Sequence, residues 1–199
     1  MIIEKRFKHF TVTVEHDEHP TNPREFNESM SSMICFHNRN YILLGDNHTM
    51  SPDALREHIK REDVVSLPLY LYDHSGITIN TTGFACKWDS GQVGRICATY
   101  DRIREWYGVE EVTPEVIERA HQTMRSEVAE YDRYLTGEVY AVIVRKKEYN
   151  AERNEVIETC IHSCGGFYEV ADAIEDAIQY VDEETATALK AEFLTPVTA

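Results

Sequence analysis

Phe10, Val12 and Val14 alternate with Thr11, Thr13 and Glu15, a period of two that predicts a half-buried strand. From His16 to Asn27 the periodicity stops and two prolines enter, so an irregular loop is expected. Short apolar runs predict strands at Met33–Phe36 and Tyr41–Leu44, with a turn at Gly45-Asp46-Asn47. Ser51-Pro52-Asp53 is a helix start: a hydroxyl cap, proline at the first helical position and an acid near the positive end of the dipole. That helix is expected to reach about Arg61. Strands follow at Leu67–Tyr72, Ile77–Thr81 and Val93–Ala98, the first two joined by a turn at Ser75-Gly76.

Helical spacing then takes over. A short helix spans Asp101–Tyr107 and stops at Gly108. A longer one opens at Thr113-Pro114-Glu115 and ends at Gly137, its buried face marked by Ile117, Ala120, His121, Met124, Val128, Tyr131 and Leu135. A hairpin is expected from Val139, Ala141 and Ile143 to Glu155–Cys160, broken at Gly165-Gly166. A last helix over 169–193 buries Val170, Ala173, Ile174, Ala177, Ile178 and Val181.

This order lacks regular βα alternation. It predicts an α+β fold: a mainly antiparallel sheet with about four helices packed on one face. One domain is expected over residues 1–199, with the 169–193 helix as a peripheral element.

The formal net charge of −15 argues against a nonspecific nucleic-acid or anionic-membrane binder, because both require clustered Lys and Arg. It permits a protein partner with a basic surface. Five cysteines without an evident secretory signal predict a reducing, cytoplasmic compartment and free thiols, most of them buried. No run approaches the ~20 apolar residues of a spanning helix.

Polar chemistry concentrates in Phe84-Ala-Cys-Lys-Trp88-Asp-Ser-Gly-Gln-Val-Gly94. Read structurally, Asp89-Ser90-Gly91 makes a tight turn, with glycine taking positive φ and with Phe84 and Trp88 anchoring the turn on the core. Read catalytically, Cys86 is a nucleophile, His74 across a hairpin is its base, and Asp89 orients the imidazole. Read as a ligand or metal site, His37, Asp46 and His74 converge with Asp89.

Cys160, His162 and Cys164 alternate on one strand face. Alternate residues stand about 6.6 Å apart, while zinc ligands converge to ~2.0–2.3 Å from one ion, so thiols on a core face are the expectation there. Gly165-Gly166 could cradle a phosphate, but Glu169 and Asp172 already put negative charge at that helix start, and neither common phosphate-binding motif is present. No cofactor is expected.

Three blocks carry a likeness. The first is Asn22-Pro23-Arg24, Met33-Ile34-Cys35-Phe36-His37 and Leu44-Gly45-Asp46. The second is Pro68-Leu69-Tyr70, His74-Ser75-Gly76 and Phe84 to Gly94. The third is Glu127, Tyr131, Tyr134, Gly137-Glu138-Val139-Tyr140 and Gly166-Phe167-Tyr168. In this order they resemble a family of small uncharacterised proteins of bacteriophages, plasmids and other mobile elements, and Trp88-Asp89-Ser90-Gly91-Gln92-Val93-Gly94 is the most specific part. Gly165 departs from the family pattern, which has a bulky residue such as Trp there.

The resemblance implies a setting and no activity. With the charge, it leads to the expectation of a non-catalytic accessory protein. Such a protein would bind, and inhibit, a host nucleic-acid-handling or defence complex through an acidic surface, without touching nucleic acid or membrane itself. The acidic row expected to do this is Asp172, Glu175, Asp176, Asp182 and Glu183, opposite the apolar stripe of the last helix. Helix neighbours three or four apart sit about 5 to 6 Å from each other, close to the spacing of phosphates along a strand. The alternatives are a Cys86-dependent hydrolase or transferase and a small-ligand or metal-binding protein. The oligomeric state stays open.

Overall fold

The computed structural model describes residues 2–37 and 44–194; of the strand expected at Tyr41–Leu44, residues 41–43 lie outside that range. The strands are β1 (Ile3–Arg6), β2 (Phe10–His16), β3 (Ser32–Cys35), β4 (Val64–Asp73), β5 (Ile77–Asn80), β6 (Ser90–Thr99), β7 (Tyr140–Asn150) and β8 (Glu155–Phe167). The helices are α1 (Pro23–Phe26), α2 (Pro52–His58), α3 (Tyr100–Tyr107), α4 (Pro114–Thr136), α5 (Val170–Ala177) and α6 (Glu183–Leu189). A 3₁₀ turn, Ile178–Tyr180, follows α5, and a π-helical turn, Lys190–Leu194, follows α6. The class is α+β and the strand pairing is antiparallel, but the described strands form two sheets of four rather than one sheet. The physical reason is pairing partner: β2 takes β7 and β3 takes β6, so no ladder joins the two sets.

The chain forms two compact units, Met1–Thr21 with Gly137–Ala199 and Asn22–Thr136. In the first, the sheet order is β1-β2-β7-β8. Phe10, Val12 and Val14 pack with Val142, Val144, Ala173, Ile174, Ala177 and Leu189, so the apolar face of the sheet is covered by α5 and α6. Thr11 and Thr13 are also buried, which corrects the half-buried reading of β2. Their hydroxyls are satisfied: Thr11 Oγ1 donates to Glu158 Oε1 at 2.9 Å, and Arg145 Nη1 donates to Thr13 Oγ1 at 3.3 Å. The β7–β8 hairpin runs on through Gly165 and Gly166 instead of breaking there. Gly166 takes φ +86°, and a Cβ on Gly165 would meet Asp17 Oδ2 at 2.2 Å.

In the second unit the sheet order is β3-β6-β4-β5. Met33, Leu69, Leu71, Ile79 and Ile96 pack with Ala120, Met124, Val128 and Tyr131 of α4, whose buried positions repeat with helical period. Ser51 Oγ caps α2 by accepting from Ala54 N at 3.2 Å, and Gly108 ends α3 in the left-handed conformation, φ +64°. Asp132 Oδ1 fastens β5 to α4 by accepting from Thr78 Oγ1 and Ile79 N, both at 2.7 Å.

Candidate functional site

The segment after β5 is braced by polar side chains. Asn80 Oδ1 accepts from Thr82 N at 3.1 Å and Gly83 N at 2.7 Å, and Gly83 takes φ +87°. Asp73 N donates to Asp89 O at 2.8 Å, and Ser90 Oγ donates to Cys86 O. Phe84 lies 5.6 Å from Tyr72, centroid to centroid. Gly91 does not supply the positive φ expected of an Asp89-Ser90-Gly91 turn; Ser90 and Gly91 already belong to β6, opposite Tyr72 and Leu71. The indole of Trp88 is 95% exposed, against the expectation that it anchors the turn. Backbone bonds and the Phe84–Tyr72 contact do the anchoring, which leaves Trp88 in solvent.

Cys86, His74 and Asp89 do come together, in an order that does not suit a nucleophile. Cys86 Sγ donates to Asp89 Oδ2 at 3.5 Å, and His74 Nδ1 lies 3.4 Å from the same oxygen. The carboxylate therefore stands between thiol and imidazole. A cysteine nucleophile needs the base on its sulfur, and here the sulfur meets a carboxylate rather than an imidazole. A cavity of about 190 Å³ adjoins the loop, lined by His37, Leu71, Asp73, Trp88, Asp89, Ser90, Gly91 and Val93. His37 and Asp89 share it, but Asp46 is engaged by Arg24. Among the described residues no three His, Cys, Asp or Glu side chains are placed to hold a metal.

The Cys160–His162–Cys164 face of β8 is likewise committed. His162 Nε2 lies 2.5 Å from Asp176 Oδ2, and its ring stacks on Tyr180 at 3.6 Å and 8°. Cys160 is exposed, so it is not on a core face; Cys164 is half-buried and packs against the core of the first unit. Only Cys35 and Cys97 are buried, which corrects the expectation that most thiols would be; all five are free.

The expected acidic row does not run along one helix. After the 3₁₀ turn, Val181 is extended (φ −118°, ψ 169°), and Asp182 caps α6 by accepting from Thr185 N at 2.9 Å. The Thr185 side chain and then its N–H hold the Asp182 carboxyl below the usual carboxylate range. Asp182 followed by Glu183 and Glu184 is itself a start signal, a capping acid with acids in the first turn, and it divides the 169–193 segment. Asp172 and Glu175 stay exposed on α5, while Asp176 is half-buried on His162. These three line an open groove of about 1030 Å³ together with Ile178, Gln179, Thr187, Lys190, Ala191 and Leu194. Asp182 and Glu183 are not part of it.

A further polar cluster sits inside the second unit. Arg24, 4% exposed, bonds Asp46 through two nitrogens and Glu127 Oε2 at 3.1 Å; its Nη2 also donates to Ser31 O at 2.8 Å. Glu127 Oε1 accepts from Met30 N at 2.8 Å, Asp46 Oδ2 from Met33 N at 2.9 Å, and Gly45 N donates to Tyr131 Oη at 2.8 Å. Burial works against the Arg24 charge, but Asp46 and then Glu127 more than offset it. The signal for this cluster was an acid on the buried face of α4: Glu127 falls between Met124 and Tyr131. Arg24 and Glu127 also line a cavity of about 220 Å³, with Asn27, Trp106, Thr123 and Glu130.

No protein-family model, curated protein or solved structure matches the chain. Among the described residues no helix is long and apolar enough to cross a membrane.

Proposed function

We propose that the protein is a non-catalytic binding protein whose first unit engages a basic surface on a partner protein. The observation that carries this reading is the groove of about 1030 Å³ along α5 and α6. Exposed Asp172 and Glu175 stand on its wall, and Ile178, Ala191 and Leu194 offer apolar surface. In a chain of net charge −15, such a groove suits a segment that presents Lys or Arg beside apolar side chains. The carboxylate on Cys86 weighs against the hydrolase or transferase alternative. The resemblance to mobile-element proteins adds the setting: an accessory protein of a phage or plasmid that binds and inhibits a host nucleic-acid-handling or defence complex. The proposed compartment is the reducing cytoplasm, which the free state of all five cysteines supports.

The test uses Asp172→Lys/Glu175→Lys, which leaves Asp176 on His162 and so leaves the fold intact. A basic amphipathic peptide is titrated calorimetrically at low and high salt, and a partner captured from phage- or plasmid-bearing cells is then titrated in the same way. Wild-type binding should weaken steeply with salt, and the folded variant should lose it. Equal affinity of that variant for the same partner would refute the groove as the binding surface.

A further inference from the structure

A second site, independent of the groove, is present in the Asn22–Thr136 unit. We propose that the cavity between α2 and β6 binds a small amphipathic acid, one carboxylate on a compact apolar body.

The cavity measures about 390 Å³, within the ~300–1,000 Å³ of small-molecule sites. Its floor is apolar, made by Phe36, Leu55, Ile59 and Val93. Among the described residues, the charged ones that line it are both arginines, Arg56 and Arg95. Residues 38–43, outside the described range, include no Asp or Glu, so that segment supplies no carboxylate. In a chain of net charge −15 this lining reverses the local sign. Arg95 is held by a neutral group: its Nε donates to Ser66 Oγ at 3.1 Å, and among the described residues no carboxylate pairs with it. Arg56 meets Asp53, but the two side chains are 68% and 88% exposed, and such a surface pair is worth little. The strand geometry adds a second observation. Gln92 and Arg95 are three apart and would face opposite sides of a regular strand. The register of β6 against β4 shifts between Leu69 and Tyr70, where Val93 is the extra residue, and Gln92 and Arg95 then line the same cavity. The ligand class follows from these groups. A guanidinium fork matches a planar carboxylate, and the apolar floor takes a hydrocarbon body. The field of the whole chain penalises each further negative charge, which favours one carboxylate over a polyphosphate.

Hexanoate and its neutral counterpart hexanamide are titrated into the full chain at equal ionic strength, and the NMR shifts of the Ile59, Val93 and Gly94 amides are followed. Saturable shifts with hexanoate are expected, with hexanamide roughly tenfold weaker or worse, the cost of losing a charge-assisted hydrogen bond. Arg95→Gln should weaken hexanoate to a similar degree. Because Arg95 also holds Ser66, Arg56→Gln provides a second measurement. That side chain is 68% exposed, so the variant should melt with wild type while its hexanoate affinity falls severalfold. N-acetyl-leucyl-leucine, which presents the same carboxylate as the C-terminus of a protein chain would, should bind more weakly, because its peptide groups find no partner on an apolar floor. Tighter binding of that peptide than of hexanoate would move the ligand to a protein C-terminus and overturn the free-acid assignment. No saturable shift with hexanoate, an equal response to hexanamide, or undiminished binding by either folded arginine variant would each overturn it as well.

Discussion

Arg24 grips Asp46 with two nitrogens, Nε donating to Oδ1 at 2.6 Å and Nη2 to Oδ2 at 2.9 Å, across 22 residues of chain. Glu127, 103 residues from Arg24, takes the third contact at 3.1 Å. Arg24→Ala would leave two mostly buried carboxylates without their cation. A loss of about 3–5 kcal/mol is expected, the usual cost of breaking a buried pair on one side. Arg24→Lys should recover only part of it, because an ammonium cannot reproduce the fork. Urea denaturation measures both, and a loss below about 1 kcal/mol for Arg24→Ala would show the cluster to be dispensable.

The two glycines of the Trp88–Gly94 run should behave oppositely. A Cβ on Gly94 would lie 1.9 Å from Ile34 O, where β6 passes close to β3, whereas one on Gly91 would meet nothing within 4 Å. Gly94→Ala is therefore expected to cost more than about 2 kcal/mol or to prevent folding, with Gly91→Ala near neutral. Equal melting temperatures for the two variants would contradict this strand pairing.

Thiol accessibility gives a third check. Cys35 and Cys97 are buried, Cys160 is exposed, and Cys86 and Cys164 are half-buried. A thiol reagent at pH 8 should titrate three groups in the folded protein and five after denaturation. Fast native reaction of Cys35 or Cys97, located by mass spectrometry, would contradict their burial.

Stability should decline on the alkaline side. Burial first, and Asp46 second, push the Cys35 thiol up from 9.0 to about 12. Burial likewise raises Cys97 to about 11 and Tyr131 to about 12. Each folded-state value is above its unfolded value, so the stability from these neutral groups is complete below the unfolded value. It is lost as pH rises through the folded one. The loss should begin near pH 9 and continue toward about 12, with a limiting slope of about 1.4 kcal/mol per pH unit for each group. Denaturation midpoints from pH 8 to 11 measure it, and Cys35→Ala/Cys97→Ala should flatten the curve. A wild-type midpoint unchanged at pH 11 would count against these assignments.

The exposure of Trp88 changes what its removal should do. With the indole 95% exposed, Trp88→Ala is expected to alter stability by no more than about 0.5 kcal/mol, the usual range for a surface substitution. A calorimetric loss of about 3 kcal/mol would mean that the ring is packed after all.

Local signals were legible in the sequence. Ser51-Pro52 opens α2, Pro114 opens α4, Gly108 closes α3, and the period of Ala120, Met124, Val128 and Tyr131 marks the face that is buried. Each rests on residues within a few positions of one another, because caps and periodicity are properties of a single turn or strand. Asp182 was such a signal as well, and reading it as part of an acidic row hid the break before α6.

By itself, then, the chain determines its antiparallel α+β class, the starts of α2, α3, α4 and α5, and its acidity. Only the tertiary structure decides that the strands divide into two sheets, that Asp89 rather than an imidazole meets Cys86, and that Trp88 is left in water. It alone brings Arg24, Asp46 and Glu127 into one buried cluster. Periodicity says which face of an element is apolar but not what covers it, and a charged residue carries no local mark of the distant partner that lets it be buried.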